Sequence, residues 1–337
     1  FSMEIMPLPG SLLSGNQHPF VIDEIADTAE AFNGRLFPLK RAEDLQLKFT
    51  KMFSAHLGCL RSGRYFEPEV MVVTGKSGSG KTTEIENMIR NFNASEIALP
   101  GGQTAQMVAK ELDRKGGWKD LGKKTLRAMG YPITDTARMT QSAIWGRVAD
   151  QGRKQGIVAI NYDEVQHVLA GKEDQALEEV LDSFKSILKT KAWPILLVLS
   201  GVPELNGYLP AFEQIFRKVT HVTFDDIDYD VDASTIHEMV CSYALEAGME
   251  VSDEINTNDF IHRLATAGAF RWGLVCELAT KAVGEAAFAR SSRLTKEHFV
   301  DVWVSKTEMN RLATPFTHDA YAAMFRRDAL FRALIPS

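Results

Sequence analysis

The stretch of sequence that decides the fold is residues 70–83, which read VMVVTGKSGSGKTT. The opening run at residues 70–73 is short and continuously apolar, which is typical of a strand buried on both faces of a parallel sheet. Residues 75–82 fit the pattern G-x-x-x-x-G-K-[ST] in full, and its glycines let backbone N–H groups approach phosphates at the start of a helix. The segment therefore predicts a phosphate-binding loop between a strand and a helix of a parallel α/β protein.

Several residues of this loop and of the turn after it are expected to bind the nucleotide: Gly75, Lys76, Ser77, Gly78, Ser79, Gly80, Lys81, Thr82 and Thr83. In loops of this kind the lysine reaches the β- and γ-phosphates, and the serine or threonine hydroxyl ligates Mg²⁺. We assign these roles to Lys81 and Thr82, so the cofactors implied are ATP and Mg²⁺. The alternative is a glycine turn that only connects a strand to a helix.

A second nucleotide motif lies at residues 157–164, which read IVAINYDE. The apolar run predicts a strand that brings Asp163 and Glu164 to its carboxyl end, where open parallel sheets bind their ligands. Asp163 is expected to hold Mg²⁺ through a water, and Glu164 is expected to polarise the water that attacks the γ-phosphate. The pair Asp23-Glu24 follows only a very short apolar run and precedes the phosphate loop, so we interpret it as surface.

The pattern around these motifs alternates strands with helices. Apolar runs predict strands at residues 70–73, 157–160, 195–199 and 219–224. Helical spacing predicts helices at residues 39–60, 82–92, 104–112, 135–151 and 174–189, with Gly58 and Gly63 as candidate ends of the first. This alternation implies a parallel α/β sheet with right-handed crossovers.

Beyond Asp230 the pattern is helical, with helices predicted at residues 233–247, 257–266, 271–289 and 295–305. The acidic stretch 225–230 reads as a linker. We therefore expect an N-terminal arm at 1–38, an α/β nucleotide-binding core at 39–226, an all-helical lid at 227–310 and a C-terminal tail at 311–337. Phe1 and Ser2, which precede Met3, are interpreted as remnants of cloning.

Composition narrows the class of protein. A net charge of −6 argues against a surface that coats nucleic acid everywhere, although it allows a local basic contact. No apolar run approaches the roughly 20 residues that a membrane-spanning helix needs. Cys59, Cys241 and Cys276 are far apart and match no metal or redox spacing, which favours idle thiols in a reducing cytoplasm.

Three further residues are candidates for contact with the phosphates. Ser200 follows the predicted strand at 195–199 and either touches the γ-phosphate or the attacking water, or only starts a turn. Arg217 precedes the predicted strand at 219–224 and is either an arginine finger for a neighbouring subunit's nucleotide or a solvated helix end. Arg271 opens a helix of the predicted lid and either folds onto the phosphates or faces solvent.

Together these motifs resemble the AAA+ superfamily of P-loop ATPases. More narrowly, the chain resembles the transposition regulators of the TniB/TnsC family, which are related to phage MuB, over about residues 39–305. Three segments carry this resemblance: DEVQH at residues 163–167, SGVPEL at 200–205 and LRAMGYP at 126–132. The resemblance implies that ATP drives assembly into rings or filaments on duplex DNA, and that the assembly engages a transposase or targeting protein.

One basic segment is compatible with a DNA contact. Residues 114–127 carry several lysines and arginines, with Asp120 as the single acid. The candidate DNA contacts are Lys119, Lys123, Lys124, Thr125 and Arg127, which would contact phosphates without reading sequence. A solvated helix face explains the same residues. Residues 314–334 combine phenylalanines with arginines and are either a partner-binding helix or a tail packed on the lid.

Two other functions fit the same motifs. One is an AAA+ ATPase with a different role, such as a loader, a secretion ATPase or a defence sensor. The other is a nucleotide switch in which turnover is incidental, although the presence of Glu164 speaks against it. We interpret the chain as an ATPase that assembles with ATP, binds DNA and regulates transposition.

Overall fold

The computed structural model describes residues 26, 36–112, 118–169, 184, 187–188, 193–216 and 218–325. By its internal contacts the chain forms two compact units, one spanning Pro38–Asp226 and the other including the residues from Ile227 onward. Several predicted features lie outside the described residues: most of the arm at 1–38, the basic residues at 114–117, most of the helix at 174–189, Arg217, and the tail beyond residue 325.

The first unit is built on a parallel sheet. Its strands are β1 Val70–Gly75, β2 Gln106–Glu111, β3 Ile157–Asp163, β4 Leu196–Gly201 and β5 Val219–Phe224. They form a 5-stranded sheet in the order β2–β3–β4–β1–β5, and each neighbouring pair is parallel. Strands β1, β3 and β4 are buried along their whole length, which is why they read as continuous apolar runs in the sequence. The four predicted strands are confirmed.

Strand β2 shows that the helix predicted at residues 104–112 is wrong. Its side chains alternate between more and less buried positions along the edge of the sheet. An alternation this short cannot be separated from helical spacing, and Lys110 and Glu111 are good helix formers. The Asn93 side chain accepts a hydrogen bond from the Met107 N–H at 2.7 Å and donates to the Met107 carbonyl at 3.0 Å. Asn93 thus satisfies backbone groups that an edge strand would leave open.

The helices that the structure describes in this unit are α1 Lys40–Ser62, α2 Lys81–Ala94, α3 Trp118–Ala128, α4 Gln141–Gln155, α5 Gln166–Leu169 and α6 Leu209–Ile215. Apolar residues of α1 recur at helical spacing, and the rings of Phe49 and Phe53 meet Phe92 of α2 edge-on. Helix α1 ends at Gly63, whose φ of 64° is readily adopted by glycine, and not at Gly58. The helices predicted at 39–60 and 82–92 are confirmed.

Helix α4 begins and ends later than the prediction of 135–151. The Thr140 hydroxyl accepts a hydrogen bond from the Ala143 N–H at 3.2 Å, which caps the helix start, and Gly156 with a φ of 72° ends it. Asp135 lies before the helix and contacts α3 instead. Its carbonyl accepts from Lys123, and its carboxylate pairs with Arg127.

The second unit is helical, as predicted. Its described helices are α7 Tyr229–Glu246, α8 Asn258–Ala267, α9 Trp272–Phe288, α10 Lys296–Thr307 and α11 Tyr321–Met324. One departure is a short parallel pair, β6 Glu250–Val251 and β7 Arg293–Leu294, which is too short to show a strand period in the sequence. Among the helices that the structure describes, none is long and apolar enough to cross a membrane.

Part of the predicted C-terminal tail belongs to the core of this unit. Phe316 is buried, and its ring contacts those of Phe260, Phe299 and Trp303. Phe325 is also buried, with its ring against Trp303. For the described residues, this packing favours a tail that covers the helical unit over a free partner-binding helix.

Candidate functional site

The phosphate loop connects the end of β1 to the start of α2, as the sequence predicts. Gly78 and Gly80 have φ angles of 78° and 88°, a region that side chains other than glycine rarely adopt. Gly75 is needed for a different reason, because a Cβ there would lie 2.7 Å from the Cβ of Phe224. The Ser79 N–H donates to the Lys76 carbonyl at 3.0 Å and closes the turn. The sequence thus forms a tight loop at the N-terminus of a helix, where anions are favoured.

Lys81 occupies the first position of α2 and is almost completely buried, with 5% of its surface exposed. Its Nζ lies 3.6 Å from Glu164 Oε1. A buried ammonium group needs a compensating negative charge, and in this structure Glu164 supplies it. The two residues that the sequence assigns to the γ-phosphate and the attacking water are therefore neighbours.

Thr82 and Asp163 also meet, although they are far apart in the chain. The Thr82 hydroxyl donates to Asp163 Oδ2 at 2.7 Å. Mg²⁺ holds neighbouring oxygen ligands about 2.9 Å apart in its octahedral shell. The spacing of these two oxygens therefore fits a Mg²⁺ site, whether Asp163 binds directly or through a water.

The remaining oxygen of Asp163 is held by two donors. The Ser200 hydroxyl donates to Asp163 Oδ1 at 2.7 Å, and the Glu164 N–H donates to the same atom at 2.9 Å. Ser200 ends β4, and its side chain is completely buried. Its hydroxyl thus orients Asp163 in this structure, whereas the sequence suggested direct contact with the phosphate or the attacking water.

Glu164 follows β3 with a φ of 58°, an uncommon value for a residue other than glycine. Besides Lys81, its carboxylate contacts two residues of α5. Gln166 Nε2 donates to Glu164 Oε2, and His167 Nε2 lies 3.4 Å from the same oxygen. Sequence reasoning used Gln166 and His167 only for a family resemblance and missed that both touch the predicted water-polarising carboxylate.

Other residues of the loop differ in what their side chains do. Lys76 Nζ donates to Asp226 Oδ2 at 2.5 Å, so this ammonium group is paired with the last residue of the first unit. Ser77 and Thr83 are exposed, in the loop and in the first turn of α2. Their proposed contacts with nucleotide remain predictions, as does that of Lys76.

A second charged cluster adjoins the loop, and the sequence did not indicate it. The Arg41 guanidinium lies 5.0 Å from the ring centroid of Phe224, the residue that packs on Gly75. Glu84, in the first turn of α2, is largely buried, and burial raises its pKa while the nearby Arg41 charge lowers it. The start of α1 is thereby attached to the floor of the phosphate loop.

The two candidate arginines differ in what the structure describes. Arg217 lies outside the described residues, so its role as an arginine finger stays a prediction. Arg271 is buried and precedes α9, within the second unit. It follows two residues with positive φ, Ala269 at 51° and Phe270 at 58°. Such strained turns often occur at functional positions, and contact with phosphates remains a prediction for Arg271.

The basic segment on α3 divides into exposed and buried residues. Thr125 is completely buried, where its hydroxyl lies 2.8 Å from the Leu121 carbonyl and 2.7 Å from the Tyr162 hydroxyl. Lys123 is also buried, and its Nζ donates to the Asp135 carbonyl. In this structure neither side chain is available to a DNA backbone.

The other candidates on α3 remain accessible to solvent. Lys119 and Arg127 are exposed, and Lys124 is partly exposed. Arg127 also pairs with the carboxylate of Asp135. A DNA contact at this helix therefore has to use Lys119, Lys124 and Arg127.

Comparison with known proteins agrees with this geometry. Residues 64–209 match the family model of an AAA domain. The matched range contains the phosphate loop, the pair Asp163-Glu164 and Ser200. Among curated proteins, none matches the sequence.

Several solved structures share the fold. The ORC2 protein of Aeropyrum pernix, in ADPNP and ADP complexes, is 15% identical with a TM-score of 0.54, over 82% of this chain and 71% of that chain. The ORC1 protein of Aeropyrum pernix in complex with DNA is 14% identical with a TM-score of 0.55, over 81% and 66%. Drosophila ORC bound to DNA is 13% identical with a TM-score of 0.52, over 90% and 71%.

Identities this low relate folds and not functions. The parallel sheet, the phosphate loop and the AAA-domain match together establish a P-loop AAA+ fold with a helical C-terminal region. The predicted fold class is confirmed. The narrower resemblance to transposition regulators stays a prediction.

Proposed function

We propose that this chain is a Mg²⁺-dependent ATPase. The observation that carries the proposal is the meeting of the two nucleotide motifs. Thr82 Oγ1 lies 2.7 Å from Asp163 Oδ2, and Lys81 Nζ lies 3.6 Å from Glu164 Oε1. These are a candidate Mg²⁺ pair and a candidate phosphate-and-water pair, side by side at the carboxyl edge of a parallel sheet.

The side chains divide the reaction between them. Bound Mg²⁺ would neutralise charge on the β- and γ-phosphates. Lys81 exchanges its contact with Glu164 for a phosphate oxygen, which frees Glu164 Oε1 to accept a hydrogen bond from the attacking water. Asp163, held by Ser200, keeps its Oδ2 directed at the Thr82 hydroxyl and so at the metal position.

Two arginines complete the proposed site. Arg217 of a neighbouring subunit would stabilise charge on the transferred phosphoryl group, and Arg271 would contact the phosphates from the helical unit. The proposal for Arg217 implies that turnover depends on protein concentration, because the finger arrives only in an assembly. Activity per subunit that is constant over a wide dilution range would argue against it.

Hydrolysis of ATP by the purified chain tests the ATPase proposal. Turnover is expected in Mg²⁺ and is expected to disappear when EDTA is added. Lys81→Ala should abolish ATP binding and turnover, whereas Lys51→Ala, a change at an exposed lysine of α1, should leave both unchanged. Turnover that survives Lys81→Ala would contradict the proposed site.

We further propose that ATP drives assembly of this protein on duplex DNA and that the assembly regulates DNA transposition by engaging a transposase. The segments DEVQH, SGVPEL and LRAMGYP support this proposal through their resemblance to the TniB/TnsC family. The accessible cations of α3, Lys119, Lys124 and Arg127, are the candidate DNA contacts. The ORC proteins seen on DNA show that DNA binding is compatible with this fold.

The decisive measurement is ATP turnover with and without duplex DNA, together with electron microscopy in a slowly hydrolysed ATP analogue. Stimulation by DNA and rings or filaments on DNA are expected. Turnover that ignores DNA, with no DNA-bound assembly, would remove the transposition proposal and leave the ATPase proposal intact.

A second candidate is an AAA+ ATPase that acts on a protein partner. It is favoured by the net charge of −6 and by the burial of Lys123 in the basic segment. A protein or peptide that stimulates turnover, when DNA does not, would select this candidate over the first.

A further inference from the structure

We propose that Gln166 is a positioning residue, which fixes the carboxylate of Glu164 and ties it to the end of β4. This inference rests on the proposed ATPase function and goes beyond it by assigning a role to a residue outside the two nucleotide motifs. Gln166 is the first residue of α5, two positions after Glu164, and only 9% of its surface is exposed. A polar side chain buried this deeply needs hydrogen-bond partners within the protein.

The side-chain amide of Gln166 bridges two groups of opposite character. Its Nε2 donates to Glu164 Oε2, and its Oε1 accepts from the Val202 N–H at 3.3 Å. A carboxylate only accepts and a backbone N–H only donates, so a single orientation of the amide satisfies both partners. The orientation of the amide is therefore fixed, and the amide in turn restrains the carboxylate.

Gly201 makes room for this bridge. A Cβ at Gly201 would lie 2.2 Å from Gln166 Oε1, far inside van der Waals contact. The residue before it, Ser200, donates to Asp163 Oδ1 at 2.7 Å. The end of β4 therefore orients both acids of the site, Asp163 through a side chain and Glu164 through Gln166.

The other neighbours of Glu164 explain why such a restraint matters. Lys81 Nζ lies 3.6 Å from Oε1, and His167 Nε2 lies 3.4 Å from Oε2. When a triphosphate draws Lys81 away, Oε1 becomes available to water. The hydrogen bond from Gln166 to Oε2 keeps the carboxylate from swinging with Lys81. Gln166 thus acts on the reaction only through Glu164.

A double-mutant cycle on the full chain tests this inference. Gln166→Ala is expected to lower kcat for ATP hydrolysis about tenfold while changing the Kd for a slowly hydrolysed ATP analogue less than about twofold, because only the orientation of the water is lost. In a chain that also carries Glu164→Ala, the same substitution is expected to lower the residual kcat no further. An equal additional loss in that background would mean that Gln166 acts elsewhere, and it would overturn the proposal.

Gly201→Ala provides an independent variant. Its methyl group would displace the Gln166 amide, so this variant alone is expected to lose kcat as Gln166→Ala does. Combined with Gln166→Ala, it removes the clash, and the double variant is expected to match Gln166→Ala. A double variant that loses the product of both effects would contradict a shared mechanism.

Gln155→Ala is the matched control, because Gln155 lies before the amino end of β3 and donates to the Met129 carbonyl. It is expected to turn over ATP as the unmodified chain does. The outcomes separate the two proposals. An unmodified chain without turnover would refute the ATPase proposal and this inference with it. An active unmodified chain with an equally active Gln166→Ala variant would refute this inference alone.

Discussion

The phosphate loop and helix α3 are two polar segments of the same unit, and the sequence suggests a ligand for each. In the loop, Lys81 and Thr82 meet Glu164 and Asp163 across a long stretch of chain. On α3, by contrast, Thr125 is completely buried. The loop gathers its residues around one site, whereas the helix distributes its residues between the core and the solvent.

The difference lies in what each pattern specifies. The loop motif fixes spacing and backbone conformation together, because Gly78 and Gly80 have the positive φ angles that the turn requires. The basic segment is a count of charges, and a count does not say which side of a helix each residue occupies. Lys123 illustrates this, since its long side chain lies in the protein and ends at the Asp135 carbonyl.

The largest expected effect tests the loop side of this comparison. Glu164→Gln keeps the size of the side chain but removes its basic oxygen, so kcat for ATP hydrolysis is expected to fall about 100-fold or more. The Kd for ATP should change little, because Lys81 and the loop backbone are intact. A variant that keeps its turnover would show that Glu164 does not orient the attacking water.

The next effect tests the accessible side of α3. Replacing Lys119, Lys124 and Arg127 with Ala together is expected to weaken duplex DNA binding more than tenfold, and to lower the slope of log affinity against log salt by about 2.7 units at about 0.9 for each phosphate contact. Fluorescence anisotropy over a salt series measures both quantities. Basal ATP turnover without DNA is the internal check on folding.

The matched control for the triple variant is Lys123→Met. Lys123 belongs to the same helix but is buried, with its ammonium group on the Asp135 carbonyl. Its replacement is expected to leave the salt slope unchanged. If Lys123→Met lowers the slope and the triple variant does not, the division of α3 into buried and accessible residues is wrong for the DNA-bound protein.

Much of the fold follows from the sequence because its strongest signals are local. Strands β1, β3 and β4 are buried on both faces and read as apolar runs, and the glycines of the loop report its backbone directly. Strand β2 was mistaken for a helix because it is a short edge strand, whose open backbone is satisfied by the Asn93 side chain. That contact depends on tertiary structure and leaves no periodic signal.

The site was predicted in its motif residues and missed in their supports. The sequence points to Asp163 and Glu164, but the donors that orient them come from the end of β4 and the start of α5. Ser200 was noticed as a polar strand end, and its actual partner is a carboxylate. Gln166 was visible only as part of a resemblance, because nothing in a single sequence shows that Gly201 leaves space for its amide.

A smaller effect is expected for the Ser200 support. Ser200→Ala removes the donor to Asp163 Oδ1 and is expected to raise the Mg²⁺ concentration for half-maximal ATP turnover about tenfold, as second-shell changes at metal sites do. Ser95→Ala is a suitable control, since that hydroxyl caps the Phe92 carbonyl at the end of α2. An unchanged Mg²⁺ requirement would show that Ser200 does not orient the metal-binding carboxylate.

The smallest effect concerns Thr125, which charge patterning placed among the DNA contacts. Tyr162 is completely buried, and burial raises the pKa of its hydroxyl, which therefore stays protonated and needs an acceptor. Thr125 lies 2.7 Å from that hydroxyl. Thr125→Val is expected to lower the free energy of unfolding by about 1–2 kcal/mol, the cost of leaving a buried hydroxyl unsatisfied.

Adding Tyr162→Phe to Thr125→Val should recover most of that loss, because both polar partners are then gone. Urea denaturation measures the free energy of unfolding of each variant, and anisotropy measures DNA affinity alongside it. Affinity for duplex DNA is expected to stay the same in all of them. If Thr125→Val instead weakens DNA binding and leaves stability unchanged, α3 must turn this residue outward on DNA, and the contrast between the loop and the helix would hold only for the free protein.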